Sequence, residues 1–106
     1  MTERSLMLRH YDLAEGTSEQ FLSWWSSHIP ALRERAGFTI EWAYLDRDRE
    51  TFTWAISYPG GVADFRRADA VYEADPEREA AIAVAPPLRR ASEIKRQAWL
   101  PVESGL

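Results

Sequence analysis

The sequence predicts a single α+β domain in which a four-stranded antiparallel sheet carries helices on one face. Three observations predict it. The length, 106 residues, fits one domain with one core. Two aromatic combs follow each other: Phe38, Ile40, Trp42 and Tyr44 alternate with Thr39, Glu41 and Ala43, and then Phe52, Trp54, Ile56 and Tyr58 alternate with Thr53, Ala55 and Ser57. Period-2 alternation is the pattern of a strand with two unlike faces. On either side of the combs lie segments whose apolar residues repeat with helical spacing.

Each element has its own signal. Leu6 to Leu13 mixes apolar and polar residues and reads as a first strand, broken by Glu15-Gly16. Thr17 followed by Gln20 reads as a helix start with a capping box. Phe21, Leu22, Trp25, Ile29, Leu32 and Ala36 form the apolar stripe of that helix, and Gly37 supplies its stop. Pro30 is expected to kink or interrupt it, because proline cannot donate to the carbonyl of Ser26. Asp46-Arg47-Asp48-Arg49-Glu50 joins the combs as a hairpin loop. Pro59-Gly60-Gly61 ends the second comb. Val62, Phe65, Ala68 and Tyr72 then mark a second helix, and Asp75-Pro76 a capped restart running to about Ala83. Pro86-Pro87 stops it, and Ser92 to Leu100 reads as a last strand closed by Pro101.

The order is β-α-β-β-α-β, two split β-α-β units, which make a ferredoxin-like sandwich. Helices cover one side of such a sheet. The other side is expected to carry Met7, Ala43, Leu45, Ala55, Ile94, Ala98 and Leu100, too apolar for open water, so two copies are expected to pair sheet to sheet as a homodimer.

Composition narrows the function. A net charge of -4 argues against nucleic acid or an anionic membrane as partner. There is no cysteine, hence no disulfide frame or thiolate nucleophile, and two histidines cannot make a three-histidine zinc site within one chain. The polar N-terminus shows no signal or span, so a cytoplasmic protein is expected. Tyr58-Pro59-Gly60-Gly61 lacks the Lys-Ser/Thr of a phosphate loop and is turn chemistry. No metal and no cofactor is expected. A haem would need an axial ligand, for which His28 is the better placed histidine, and nothing else in the chain points to haem.

His28 is the leading catalytic candidate, as a general base near neutral pH on the helix face that meets the sheet. Its alternative is a histidine at the helix edge, bonded to the carbonyl that Pro30 frees. His10 is the second candidate. It shares parity with Leu6 and Leu8 and reaches a pocket if those face the helices; otherwise it is a solvated strand-end residue. Arg33 can clamp a carboxylate or enolate oxygen, or belong to a solvated run with Glu34 and Arg35 near a helix C-terminus. Trp25, Trp42, Tyr44, Trp54 and Tyr58, closed by Tyr72 and Asp69, form either the wall of a pocket for a flat ligand or plain core. Arg89, Arg90, Lys95 and Arg96 make a modest basic cluster that reads as a solvated or dimer-edge feature.

His28-Ile29-Pro30-Ala31-Leu32-Arg33, Gly37-Phe38, Thr51-Phe52-Thr53-Trp54, Tyr58, Phe65, Ala68-Asp69-Ala70-Val71-Tyr72 and Asp75-Pro76-Glu77-Arg78 together resemble the NIPSNAP-type domain of the dimeric α+β barrel group. The resemblance runs from about residue 6 to residue 80. It implies a homodimer whose two sheets form a barrel, with a pocket between sheet and helices in each protomer. Related barrels include cofactor-free oxygenases acting on polyketide aromatics, degradative enzymes, haem enzymes and proteins with no known reaction. The resemblance carries no catalytic set onto this chain. Two functions follow as expectations: a cofactor-independent oxygenase, isomerase or cyclase acting on a small apolar aromatic substrate, or a non-catalytic ligand-binding or assembly domain.

Overall fold

The structure, a computed structural model, describes residues 3–89 and the backbone of 97–103. The elements are β1 (Glu3–Asp12), α1 (Ser18–Arg35), β2 (Thr39–Asp46), β3 (Thr51–Pro59), α2 (Val62–Glu73), α3 (Pro76–Ala83) and β4 (Gln97–Glu103). The four strands lie in the order β2-β3-β1-β4, every neighbouring pair antiparallel. This is the strand order of a ferredoxin-like sheet, with an extra short helix before the last strand. Among the described residues no helix is long and apolar enough to cross a membrane.

Local chemistry explains the boundaries, with some departures from expectation. α1 begins after Thr17, but the Thr17 hydroxyl donates back to the Ala14 carbonyl at 2.7 Å and no capping box with Gln20 forms. Pro30 does not interrupt α1, which continues to Arg35. Ser26, whose carbonyl loses its partner, is exposed, so water can satisfy it. Gly37, at φ +96°, ends the helix in a conformation that glycine adopts at no steric cost. In the hairpin loop the Asp46 carboxylate accepts from the backbone N–H groups of Asp48 and Arg49. Gly60 has φ +97°, and a Cβ there would lie 2.4 Å from an Asp64 carboxylate oxygen. That carboxylate needs the space, because it accepts from the Gly61 N–H and so caps α2. Asp75 caps α3 through the Glu77 N–H at 2.9 Å, with Pro76 in the first turn as expected. Pro101 lies inside β4 rather than closing it. β4 is an edge strand, where a missing N–H is tolerated.

The register assigns the faces. β3 directs Phe52, Trp54 and Ile56 into the core against α1 and α2, and Tyr11, Arg9 and Met7 of β1 sit opposite them. Met7 is therefore fully buried in the core and not on the second face. Ala43 and Leu45 also pair with helix-side residues, Trp54 and Phe52. The outer face instead carries Leu6, Leu8 and His10 of β1 with Thr53, Ala55 and Ser57 of β3. The register sets Ala98 and Leu100 opposite Leu8 and Leu6, while Ile94 lies outside the described residues.

A β-bulge between Ile40 and Trp42 breaks the parity of the first comb. Ile40 still pairs with Ile56 on the helix side, but Trp42 pairs with Ala55 and Tyr44 with Thr53. One extra residue moves everything after it to the opposite face. Trp42 and Tyr44 are consequently 47 % and 63 % exposed on the outer sheet face.

The core is aromatic. Phe52 packs between Phe21 and Trp25 at ring distances of 5.2 and 5.0 Å, and Trp54 meets Trp25 nearly edge-on at 5.3 Å. Phe38 packs on Tyr58 and Phe65. Tilted and edge-on pairs of this kind each add about 0.5–1.5 kcal/mol beyond the area they bury.

Candidate functional site

Between the sheet, α1, the α2–α3 corner and the segment after α3 lies a cavity of about 170 Å³. Its sheet wall is Arg9, Tyr11 and Trp54. Its α1 wall is the row Phe21, Trp25, Ile29 and Arg33, four residues apart and therefore on one stripe of the helix. Tyr72, Arg78 and Ile82 complete it from α2 and α3. Ala85, Pro86 and Leu88 close one end. That closing segment is tied down by a bridge between Leu13 and Leu88 and by the Arg89 N–H donating to the Asp12 carbonyl at 3.0 Å. The Trp24 indole N–H donates to the Ala81 carbonyl at 2.9 Å and so fastens α3 to α1.

Two arginines are buried in this aromatic setting. Arg33 is 1 % exposed and Arg9 4 %. Both face one carboxylate, Asp69: Arg33 Nη1 donates to Oδ1 at 2.7 Å, and Arg9 Nη2 lies 3.6 Å from Oδ2. The Arg33 guanidinium also stacks 3.8 Å from the Tyr72 ring centre and 4.7 Å from that of Phe38, close enough for cation–π attraction. Burial pushes the Arg33 pKa down, the neighbouring Arg9 charge pushes it the same way, and Asp69 opposes both. Burial also raises the Tyr72 phenol, against the pull of Arg33. Four buried N–H donors on the lining have no partner: Arg9 Nε, Arg33 Nε, Arg78 Nε and Trp25 Nε1. Native interiors leave few donors orphaned, and each one calls for an explanation.

No family model and no curated protein matches the sequence. Solved structures do match. An uncharacterized NIPSNAP-like domain protein from Burkholderia xenovorans has a TM-score of 0.78 at 17 % identity, over 95 % of this chain and 86 % of that one. A NIPSNAP family protein of unknown function from Agrobacterium tumefaciens has a TM-score of 0.78 at 11 % identity, over 93 % and 87 %. A second NIPSNAP domain protein from Burkholderia xenovorans has a TM-score of 0.72 at 12 % identity, over 95 % and 94 %. The fold is that of the NIPSNAP domain.

Within this fold the sequence-predicted residues divide among four places. Trp25, Trp54, Tyr72 and Arg33 line the cavity. Trp42 and Tyr44 do not, because the bulge sends them to the outer face. Tyr58 packs on Phe38 and borders a separate open groove with Gly37, Asp64 and Val71. His28 is also outside the cavity. It is one position before Ile29 and so off the helical row of Arg33, and it lines a shallow groove between α1 and α3 with Ser27, Ala31 and Glu77, beside Trp24. His10 is on the outer sheet face, where its Nδ1 is 2.6 Å from the Thr53 hydroxyl and its Nε2 3.6 Å from Asp12. Arg33 is buried, whereas its neighbours Glu34 and Arg35 are exposed. Of the basic cluster, Arg89 reaches Glu50 at 3.8 Å; Arg90, Lys95 and Arg96 lie outside the described residues.

The residues missed from sequence are Arg9, Tyr11 and Arg78. Tyr11 and Arg9 alternate with Met7, the one large apolar residue of β1 that is wholly buried, so the parity was available. It competed with an equally regular Leu6-Leu8-His10 parity, and only the pairing with β3 decides between them.

Proposed function

We propose that this NIPSNAP-type domain is a small-molecule binding module whose ligand site is the cavity between α1 and the sheet, and that two copies associate through their outer sheet faces. The observation that carries the binding reading is the cavity itself: about 170 Å³, lined by aromatic rings and holding buried polar groups that no neighbour satisfies. A filled core has neither feature. Binding pockets combine an apolar lining with a few polar groups that fix orientation. An engineered apolar cavity of about 150 Å³ takes up benzene, so a space of this size suits one ring with small substituents.

Proton transfer by His28 is the chemistry expected of an enzyme here, and His28 opens onto a different groove. The lining supplies guanidinium, indole and phenol groups, which bind and orient. The geometry therefore favours the non-catalytic reading. Trp25 and Trp54 make it testable, since both line the cavity. Titration with a panel of single-ring aromatic compounds is expected to change the tryptophan emission saturably, and Trp25→Phe is expected to diminish that change. Emission unaltered by every member of the panel, with no thermal stabilisation, would sink the binding reading.

A further inference from the structure

The cavity's ligand class follows from its charge and its donors. We infer that it recognises a single-ring aromatic carboxylate, with Arg9 and Arg33 holding the carboxylate and the aromatic lining holding the ring. This rests on the cavity being a ligand site.

The first ground is charge balance. Two guanidinium groups, 4 % and 1 % exposed, share the single carboxylate of Asp69. Two positive charges against one negative leave one positive charge uncompensated in a water-poor, aromatic space. Arg78 brings a further guanidinium to the rim, 5.9 Å from the Tyr72 ring. Burying a charge without a partner is costly. A ligand bearing one negative charge removes that cost, and a neutral ligand leaves it in place. A phosphate has no apolar body for the rings.

The second ground is the donor inventory. The orphaned Nε groups of Arg9, Arg33 and Arg78 and the orphaned indole N–H of Trp25 are four donors without acceptors. An ionised carboxylate is acceptor-only and offers about four lone-pair sites on its two oxygens. Arginine is also the side chain whose planar fork matches a carboxylate in two-point contact. The native partners of Arg33 are already of this kind, since Asp69 is itself a carboxylate.

The third ground is shape. Phe21, Trp25, Trp54 and Tyr72 surround the space with ring faces and edges, and its volume admits one ring. Ile82, 41 % exposed, and half-buried Arg78 mark the side that opens to solvent.

The experiment compares benzoate, benzamide and inorganic phosphate on the intact chain, by tryptophan emission and thermal shift at fixed ionic strength. Benzoate is expected to bind at least tenfold more tightly than benzamide, which has the same shape without the charge, and phosphate is expected to give no saturable response. Arg9→Gln and Arg33→Met are each expected to weaken benzoate at least tenfold and benzamide by a clearly smaller factor. Arg78→Gln, at a half-buried rim position where folding is not at stake, is expected to weaken benzoate in the same direction by a smaller factor. Equal binding of benzoate and benzamide overturns the carboxylate assignment and leaves the binding reading standing. Phosphate binding as tightly as benzoate overturns it in favour of a bare anion site. Benzamide binding while benzoate does not overturns it outright. If neither aromatic probe binds at any accessible concentration, the ligand-site reading and this inference fail together.

Discussion

At the scale of single residues, one carboxylate governs the charge of the cavity. Asp69 is 15 % exposed and is the shared counter-charge of Arg33 and Arg9. Removing it leaves two buried guanidinium groups facing each other. Breaking a buried pair by deleting one partner typically costs about 3–5 kcal/mol, and Asp69→Asn should fall in that range in a urea melt. Arg33→Met should cost clearly less. It leaves one arginine with one carboxylate, so no buried charge is left without a counter-charge. A ranking in which Arg33→Met is the worse variant would refute this charge count. Added benzoate should partly restore the melting temperature of Asp69→Asn, because the ligand supplies the missing negative charge. The sequence offered a pointer to Arg33 in its spacing: Phe21, Trp25, Ile29 and Arg33 form one row at intervals of four. That row competes with the charge run Arg33-Glu34-Arg35, which reads as solvated. A guanidinium becomes buried only because Asp69 arrives from α2, 36 positions along the chain. Helical spacing can say which way a side chain points, but not what meets it there.

At the scale of elements, the extents of the helices followed local chemistry, although Pro30 did not interrupt α1 and no capping box formed at Thr17, whereas the faces of the strands did not follow it. Stripe, stop and cap residues are near neighbours in sequence, so α1, α2 and α3 were legible from Phe21 to Ala83. The face of a strand depends on a partner far away and flips with one residue. The single bulge after Ile40 turned Trp42 and Tyr44 from pocket wall into outer surface, and the preference for Met7, Arg9 and Tyr11 over Leu6, Leu8 and His10 was set only by pairing with β3. One element-scale consequence concerns acid. The Asp75 carboxyl is held below the usual aspartate range, first by the Glu77 N–H that it accepts from; burial opposes this, and Arg35 adds to the lowering. A carboxyl whose folded pKa is lowered adds stability above its unfolded pKa and loses it as pH falls through the folded value. Asp75→Ala should therefore melt earlier than the parent at neutral pH. The gap should close as pH falls below the ordinary aspartate range, because the parent loses its own cap there. A gap that stays constant through acid titration would show that the cap acts through something other than the ionised carboxyl. Because α3 carries Arg78 and Ile82 of the cavity, the same variant should also weaken ligand binding at neutral pH.

At the scale of the whole molecule, the sheet has one face filled by helices and one that is not. The outer face presents half-buried Leu6 and Leu8, with Trp42 and Tyr44 standing at 47 % and 63 % exposure. Two large aromatics exposed beside apolar neighbours on a sheet is the kind of surface that marks an interface. A second copy offering the same face fits, because a two-fold pairing buries Trp42 and Tyr44 of both chains at once. Some of that face is polar: Arg4 donates to Ser57 Oγ at 3.0 Å, Ser57 donates to Glu41, and His10 meets Thr53. Each of these groups already has a partner within the chain. Sedimentation at micromolar concentration is expected to show a dimer. Trp42→Glu is expected to weaken it at least tenfold, which corresponds to about 1.4 kcal/mol and is modest for a central interface aromatic. Its far-UV circular dichroism should match the parent, since an exposed position on β2 contributes little to the core. Val71→Glu is the control. Val71 is 73 % exposed on α2, on the opposite side of the molecule from the outer sheet face. It should leave the association unchanged. A parent chain that sediments as a monomer would remove the sheet-to-sheet pairing, and equal effects of the two variants would place the interface elsewhere. The ligand titrations separate the two scales: the cavity lies on the helix side of the sheet, so Trp42→Glu should dissociate the pair and leave benzoate affinity as it was.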